Sequence, residues 1–372
     1  MYNQCSPAER LSRNQKKRQG TLDSFLRALQ WLTWLFPEWT ENKSVWRGHP
    51  RALRAVLTLL ALFYVGLPVA FYLCPWIRRA AVFLPFLDWP LQTLSKPEYY
   101  GLNCTRHFFV ETSPGIFLGV WHVPPSGSCW TSLFSDSRPV VLYLHGSAES
   151  RSAPYRRSMY KVLSGEPLRA HVITFDYRGF GDSTWVSPTA NTLEEDAAGM
   201  YSWLQKRVPT SRIVVWGHSM GSGIAARLAK RPGVSLAVVF EAPFTSIADA
   251  TRTFPLSFFH RRLPLFETFC SERTRHPDTN LDTLDIIGDI QDPLLILHAA
   301  DDSMVWSEQG RRLWERAVQV RSPHLHRPVF VEFNKRFKCG HRNIHKVPHL
   351  SATVADFLQS IEEHKKREMC GE

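Results

Sequence analysis

Residues 213–223 read Ile213-Val214-Val215-Trp216-Gly217-His218-Ser219-Met220-Gly221-Ser222-Gly223. An apolar run of strand length leads into Ser219, and Ile224-Ala225-Ala226-Arg227-Leu228-Ala229-Lys230 beyond it has the composition of a helix, so the serine falls on the turn between the two. Gly217 and Gly221 stand two residues to either side. G-x-S-x-G at a strand-to-helix turn is a nucleophile elbow, which pushes a serine hydroxyl out over the end of a sheet. A Cβ at either glycine would crowd the strand or helix packed against the turn. The pentapeptide also arises by chance in glycine-containing loops, so the partners of Ser219 decide its meaning.

Strand-like runs recur along the chain at Ile116 to Val123, Val140 to His145, His171 to Asp176, Ile213 to Gly217, Leu236 to Phe240, Leu294 to His298 and Val329 to Phe333. Helical stretches separate several of them. One is Leu193 to Lys206, where Thr192 and Glu195 have capping-box spacing and Met200, Trp203 and Leu204 make an apolar stripe. Another is Ser351 to His364. This alternation predicts an α/β fold, a mostly parallel sheet with helices on both faces.

A serine hydroxyl attacks at neutral pH only when an imidazole takes its proton and a carboxylate holds that imidazole in the right tautomer. With an elbow serine on such a sheet, the partners follow in the order serine, acid, histidine. The strand "PLLILH" ends at His298 and leads to Ala299-Ala300-Asp301-Asp302-Ser303-Met304-Val305. Asp302 is the expected acid and Asp301 the alternative; Glu241, after another strand, competes but reads better as a structural residue. Fifteen histidines make any one of them uninformative alone. After the last strand, however, Cys339-Gly340-His341-Arg342-Asn343 puts His341 in a late loop before a helix, with His345 as its competitor. His218 flanks the nucleophile and is expected to point inward. Two main-chain N–H groups are needed for the developing oxyanion. Met220, next after the serine, supplies one; the loop after "VVLYL", His145-Gly146-Ser147-Ala148, supplies the other from Ser147 or, alternatively, Ala148. The expected set is Ser219, Asp302 and His341, with Met220 and Ser147 as oxyanion donors. No metal or organic cofactor is implied.

At 372 residues, 44% hydrophobic and 12% aromatic, the chain is long and apolar enough for one large packed α/β domain with residues to spare. Its formal charge of +11 would suit a nucleic acid, but the excess is uneven. Arg10, Arg13, Lys16, Lys17, Arg18, Arg27, Lys43, Arg47, Arg51 and Arg54 all precede "AVLTLLALFYVGLPVAFYLC", residues 55–74, which carry no charge and match the thickness of a hydrocarbon core. A basic excess beside such a segment argues for a membrane and against nucleic acid. Gly66 and Pro68 are ordinary in membrane spans. With no cleavage site visible, the segment reads as an uncleaved signal anchor. The expected organisation is a basic cytoplasmic arm (1–54), one transmembrane anchor (55–75), an interfacial or connecting segment (76–112), the catalytic domain (113–364, with a cap at about 244–290) and a C-terminal tail (365–372). For residues 76–97, rich in aromatic, leucine and proline residues, a membrane-surface segment and the first packed layer of the domain stand as equal expectations.

The positive-inside rule keeps the basic arm cytoplasmic and translocates the remainder. Asn103-Cys104-Thr105 then lies on the translocated side as a glycosylation acceptor. Cys104, Cys129, Cys270, Cys339 and Cys370 share that side, and their pairing is left open, as is the oligomeric state.

The motifs "YLHGSAE", "TFDYRGFGDST", "VVWGHSMGSG", "EAPFT" and "PLLILHAADD", with "LGVWHVPP", "GLNCT" and the apolar span, closely resemble the α/β-hydrolase domain-containing protein 12 group over roughly residues 55–360. The sequence departs from that group in "LSGEPLRAHVITF" and in the shorter histidine loop "FKCGHRNIHK". The resemblance implies an α/β-hydrolase fold, the triad Ser219, Asp302 and His341, residence in the endoplasmic reticulum membrane with a lumenal catalytic domain, and hydrolysis of lysophosphatidylserine and monoacylglycerols. An apolar cap sequence, "TFPLSFFHRRLPLFETF", suits a single-chain lipid, and Arg252 just before it with Arg261 and Arg262 within it suit a phosphate or carboxylate headgroup. An acyl-protein thioesterase or peptidase on the same fold, and a non-catalytic membrane adaptor, are the competing expectations.

Overall fold

The structure is a computed structural model and describes residues 50–88, 93–129, 134–231, 233, 235–263 and 266–370. Nearly all of the basic arm, residues 1–49, lies outside them. The chain divides into two units, residues 1–73 with 258–273 and residues 74–257 with 274–372.

In the first unit a helix runs from α1 (Pro50–Ala61) through a π-turn (Leu62–Gly66) into α2 (Leu67–Leu73). Arg54–Leu73 is the stretch, among the described residues, that is long and apolar enough to cross a membrane. Leu59, Leu62 and Leu73 are each 60% or more exposed, so an apolar medium and not a protein core suits this helix. The π-turn falls just before Pro68, whose missing N–H breaks the regular hydrogen-bond ladder there. Residues 258–273 pack on this helix: His260 Nε2 lies 2.9 Å from the Phe63 carbonyl, Arg273 Nε donates to the Tyr72 carbonyl at 3.2 Å, and the Tyr72 and Phe269 rings sit 5.1 Å apart.

The second unit carries one eight-stranded sheet. Its strands are β1 (Arg106–Ser113), β2 (Ile116–Val123), β3 (Val140–Leu144), β4 (His171–Phe175), β5 (Ile213–His218), β6 (Ala237–Glu241), β7 (Leu294–Ala299) and β8 (Val329–Phe333), in the order β1-β2-β4-β3-β5-β6-β7-β8. β2 pairs antiparallel with both β1 and β4; every later pairing is parallel. The central strands read as unbroken apolar runs because both faces are covered. On one face Leu142, Leu144, Ile213 and Val215 pack under α5 (Ala190–Gln205) and α6 (Met220–Leu228). On the other, Val141, Tyr143, Val214 and Trp216 pack under α4 (Pro154–Ser164) and α10 (Leu350–Cys370).

All seven expected strands are present. β1 was not among them: it lies at the sheet edge, and Arg106, His107 and Glu111 interrupt its apolar pattern. The second unit therefore begins well before residue 113. α3 (Pro75–Phe83) also belongs to it, with Arg78 and Phe83 wholly buried, while Trp76 and, beyond the helix, Phe86 and Leu87 stay exposed. The described parts of this segment, residues 76–88 and 93–97, thus belong to a packed layer that carries exposed apolar side chains. Two helix ends differ from expectation. α5 starts three residues earlier, capped reciprocally by Thr189 and Thr192 (2.8 and 3.2 Å) instead of by Thr192 and Glu195, since Glu195 turns out towards Arg178. α10 continues to Cys370, so most of the expected tail is helix. The β6–β7 connection, where a cap was expected, holds α7 (Ile247–Thr253), α8 (Thr283–Ile286) and short 3₁₀ and π turns; α9 (Ser307–Val320) follows β7.

Candidate active site

β5 delivers Ser219 to the C-terminal edge of the sheet. Its backbone is left-handed, with φ 51° and ψ −117°, a conformation that costs a non-glycine residue about 1–3 kcal/mol and marks a site held by its surroundings. Those surroundings are specific. A Cβ on Gly217 would overlap the carbonyl of Gly221, and one on Gly221 would overlap the carbonyl of Leu144 in β3. The Ser219 N–H donates to the Glu241 carbonyl at 2.9 Å, tying the turn to β6.

His341 Nε2 lies 2.9 Å from Ser219 Oγ, and its Nδ1 lies 2.7 Å from Asp302 Oδ2. The three side chains come from the ends of β5, β7 and β8, more than eighty residues apart at the widest step, and meet only because these strands run parallel. Asp302 is buried; its Oδ1 accepts the N–H groups of Met304 and Val305, both at 2.9 Å, and His298 Nε2 stands 3.3 Å from Oδ2. Burial alone would raise its pKa, but the neighbouring His341 and His298 outweigh it and hold the carboxyl below the usual carboxylate range. Asp302 is an anion across the neutral range.

The competing residues have other partners. Asp301 Oδ1 accepts the Gly340 N–H at 3.1 Å and so fixes the loop that carries His341. His218 turns inward, as expected, and its Nε2 meets the His341 carbonyl at 3.0 Å. Burial first, and the neighbouring His341 second, hold the pKa of His218 well below its ordinary value. His345 sits in a short 3₁₀ turn (Ile344–Lys346) while His341 holds the position next to Ser219. Glu241 accepts from Trp216 Nε1 at 2.8 Å under the sheet, and burial pushes its pKa up to about 7.

The first N–H of a helix has no intrahelical acceptor, so Met220, opening α6 directly after Ser219, presents a free-standing donor. Across from it, Gly146 is so close that a Cβ there would stand 3.1 Å from Ser219 Cβ. The N–H of Ala148, the alternative donor of that loop, is used by the Phe83 carbonyl at 3.0 Å. The cap arginines are less suggestive than their sequence: Arg252 pairs with Asp249, and Arg261 and Arg262 lie over the Phe258 ring at 5.0 and 5.8 Å. Sequence reasoning gave no role to Arg156, which the structure buries against the 146–150 loop. An arginine two residues after Ala153-Pro154 has the spacing of a helix-start residue, and nothing in the pattern marks it as internal.

A parallel sheet bearing a strained serine at its C-terminal edge, a histidine on that serine and an aspartate on the histidine defines an α/β-hydrolase enzyme, and a family model described as alpha/beta hydrolase fold matches residues 139–263. The Pyrococcus furiosus esterase Pf2001 has the same fold, with a TM-score of 0.52 at 21% identity over 71% of this chain and 92% of its own. Sequence relatives are closer. Lysophosphatidylserine lipase ABHD12 of Danio rerio is 36% identical over 327 residues, 84% of this chain and 85% of that protein. Protein ABHD12B of Homo sapiens is 36% identical over 301 residues, 74% of this chain and 81% of its own. The chain belongs to the ABHD12 family of hydrolases.

Proposed function

We propose that this protein is a membrane-anchored serine lipase that cleaves the acyl ester of single-chain lipids, lysophosphatidylserine first among them and other lysophospholipids and monoacylglycerols with it. The observation that carries the reading is the continuous chain of hydrogen bonds from Ser219 Oγ through His341 to Asp302, at 2.9 and 2.7 Å. Relatives named lysophosphatidylserine lipases support the substrate class. Ser219 attacks the ester carbonyl while His341 takes its proton; the bond to the lipid alcohol breaks as His341 returns the proton to it, leaving an acyl-serine that water hydrolyses by the same two steps in reverse roles. Asp302 holds the imidazole with Nε2 towards the serine. The N–H groups of Met220 and Ser147 stabilise the tetrahedral oxyanion.

The apolar helix Arg54–Leu73 is the anchor in this reading, in a single-pass protein of the endoplasmic reticulum whose catalytic unit faces the lumen. Two features support that side. Asn103 is exposed in a turn, open to glycosylation, and its neighbour Cys104 is bonded to Cys129, a link at home in an oxidising compartment.

The experiment is fluorophosphonate labelling of membranes carrying wild type and Ser219→Ala, with lysophosphatidylserine hydrolysis followed in parallel. Label and turnover in wild type and neither in the variant is the expected result. Label without lipid turnover would reject the substrate and keep the hydrolase, and a folded wild type that takes no label would leave a non-catalytic adaptor. Loss of an endoglycosidase-sensitive gel shift in Asn103→Gln tests the orientation.

A further inference from the structure

Arg156 lies in the first turn of α4 and is wholly buried, yet its guanidinium meets main-chain oxygens of one loop. Its Nη1 donates to the carbonyls of Glu149 (2.8 Å) and Ser150 (2.7 Å). Its Nη2 donates to those of Gly146 (3.0 Å) and Ala148 (2.8 Å), with Ser147 at 3.4 Å. Five successive carbonyls thus turn towards one side chain. Within that loop Ala148 and Glu149 are both left-handed, with φ of 61° and 53°, which non-glycine residues adopt only when something imposes it.

A trans peptide is planar, and its C=O and N–H point in opposite directions. Holding the Gly146 carbonyl, which Arg156 shares with His145 Nδ1 at 2.8 Å, therefore aims the Ser147 N–H the other way within the same peptide plane. Gly146 abuts Ser219, so the peptide that carries the Ser147 N–H lies beside the serine.

We propose that Arg156 is the positioning residue of the oxyanion site: by gathering the carbonyls of residues 146–150 on one planar fork, it aims the Ser147 N–H at the charge that develops on the substrate. This rests on the reading of Ser219 as nucleophile and of Ser147 as donor. Lysine keeps the positive charge but offers its donors from a single nitrogen and cannot span five carbonyls. Arg156→Lys thus separates geometry from charge.

The test uses the full-length protein in detergent. It measures kcat and KM on a lysophospholipid, affinity for a trifluoromethyl ketone, which Ser219 converts into a tetrahedral adduct, and affinity for a non-hydrolysable ether lysolipid. Arg156→Lys is expected to lose about a hundredfold in kcat and in ketone affinity together, the scale of one lost oxyanion donor, with KM and ether-lipid affinity unchanged. Arg157→Lys, which gives up a bond to the Tyr100 carbonyl (2.7 Å) and a place over the Tyr100 ring (5.4 Å) but touches no carbonyl of the 146–150 loop, serves as the control and stays at the wild-type level. Wild-type kcat in Arg156→Lys, or equal loss of ketone and ether-lipid affinity, overturns the proposal. Should Arg156→Lys fail to fold, Arg156→Lys/Ala148→Gly, relieved of the strain at residue 148, is read in its place. If that too fails to fold, the arginine serves the fold alone and the proposal is rejected. A wild type that neither turns over lipid nor takes the fluorophosphonate fails at the site itself, a result distinct from any of these.

Discussion

The Nε2 of His218 and the carbonyl oxygen of His341 lie 3.0 Å apart, so the residue before Ser219 holds the loop that carries His341. Because burial keeps His218 neutral, its Nε2–H is a donor at every working pH. His218→Phe should keep the bulk and lose the bond. The expected outcome is a fall in kcat of about ten- to a hundredfold, the scale of a small misplacement of a catalytic group, with an unchanged pH profile. A shifted pH optimum would mean that His218 itself titrates during turnover.

Within the triad the effects should be large and overlapping. Ser219→Ala, His341→Ala and the double variant are each expected to lose about 10⁴-fold or more in kcat with no additivity, because the residues act as one unit. Asp302→Asn, which permits the wrong imidazole tautomer, should lose on the order of 10⁴-fold. His345→Ala and Asp301→Asn distinguish the neighbours: the first should stay near wild type, while the second, which weakens the anchor of Gly340, should lose activity in part. Steady-state kinetics on one lysophospholipid settles all of these, and full loss in His345→Ala would reassign the base.

Glu241 is expected to make the fold sensitive to pH. Its folded pKa, about 7, exceeds its ordinary value of 4.5, so between those values the folded state holds more proton than the unfolded state. The favourable contribution of the protonated form is full below about pH 4.5 and is lost as pH rises through 7, a swing of about 3 kcal/mol. Glu241→Gln keeps the bond from Trp216 and cannot ionise. Its melting temperature relative to wild type should therefore increase from pH 5 to pH 8; a constant difference would place the ionisation elsewhere.

The Cys104–Cys129 bond closes a loop of 25 residues. Chain-entropy arguments put its contribution at about 3 kcal/mol, so Cys104→Ala/Cys129→Ala should melt lower than wild type and reducing agent should close the gap. Equal melting with and without reductant in wild type would show the pair to be unlinked.

Much of the site was legible because its chemistry is local in sequence. A serine between two glycines at the end of an apolar strand, an aspartate just past another strand and a histidine in the last loop each carry their own short context. That is why Ser219, Asp302 and His341 could be named before any geometry was known. What a sequence does not display is which of two adjacent groups faces inward. Asp301 and Asp302 differ only in which side of a turn they leave, and that is set by the N–H groups of Met304 and Val305. β1 escaped because Arg106, His107 and Glu111 break up its short apolar run, so neither a continuous nor a cleanly alternating pattern is left to read. Arg156 escaped for a deeper reason: its partners are carbonyl oxygens, which every residue has, so no pattern of side chains could announce them.

The packing of residues 258–273 on the helix Arg54–Leu73 bears on how this protein should be handled at the bench. His260, Phe269 and Arg273 find their partners at Phe63 and Tyr72, roughly two hundred positions earlier in the chain. A soluble version made by cutting after Leu73 would remove not a tether but one half of a packed pair, stranding aromatic rings in the middle of the remaining chain. Preparations that keep the helix and its detergent are the ones in which those residues retain a surface to fold on.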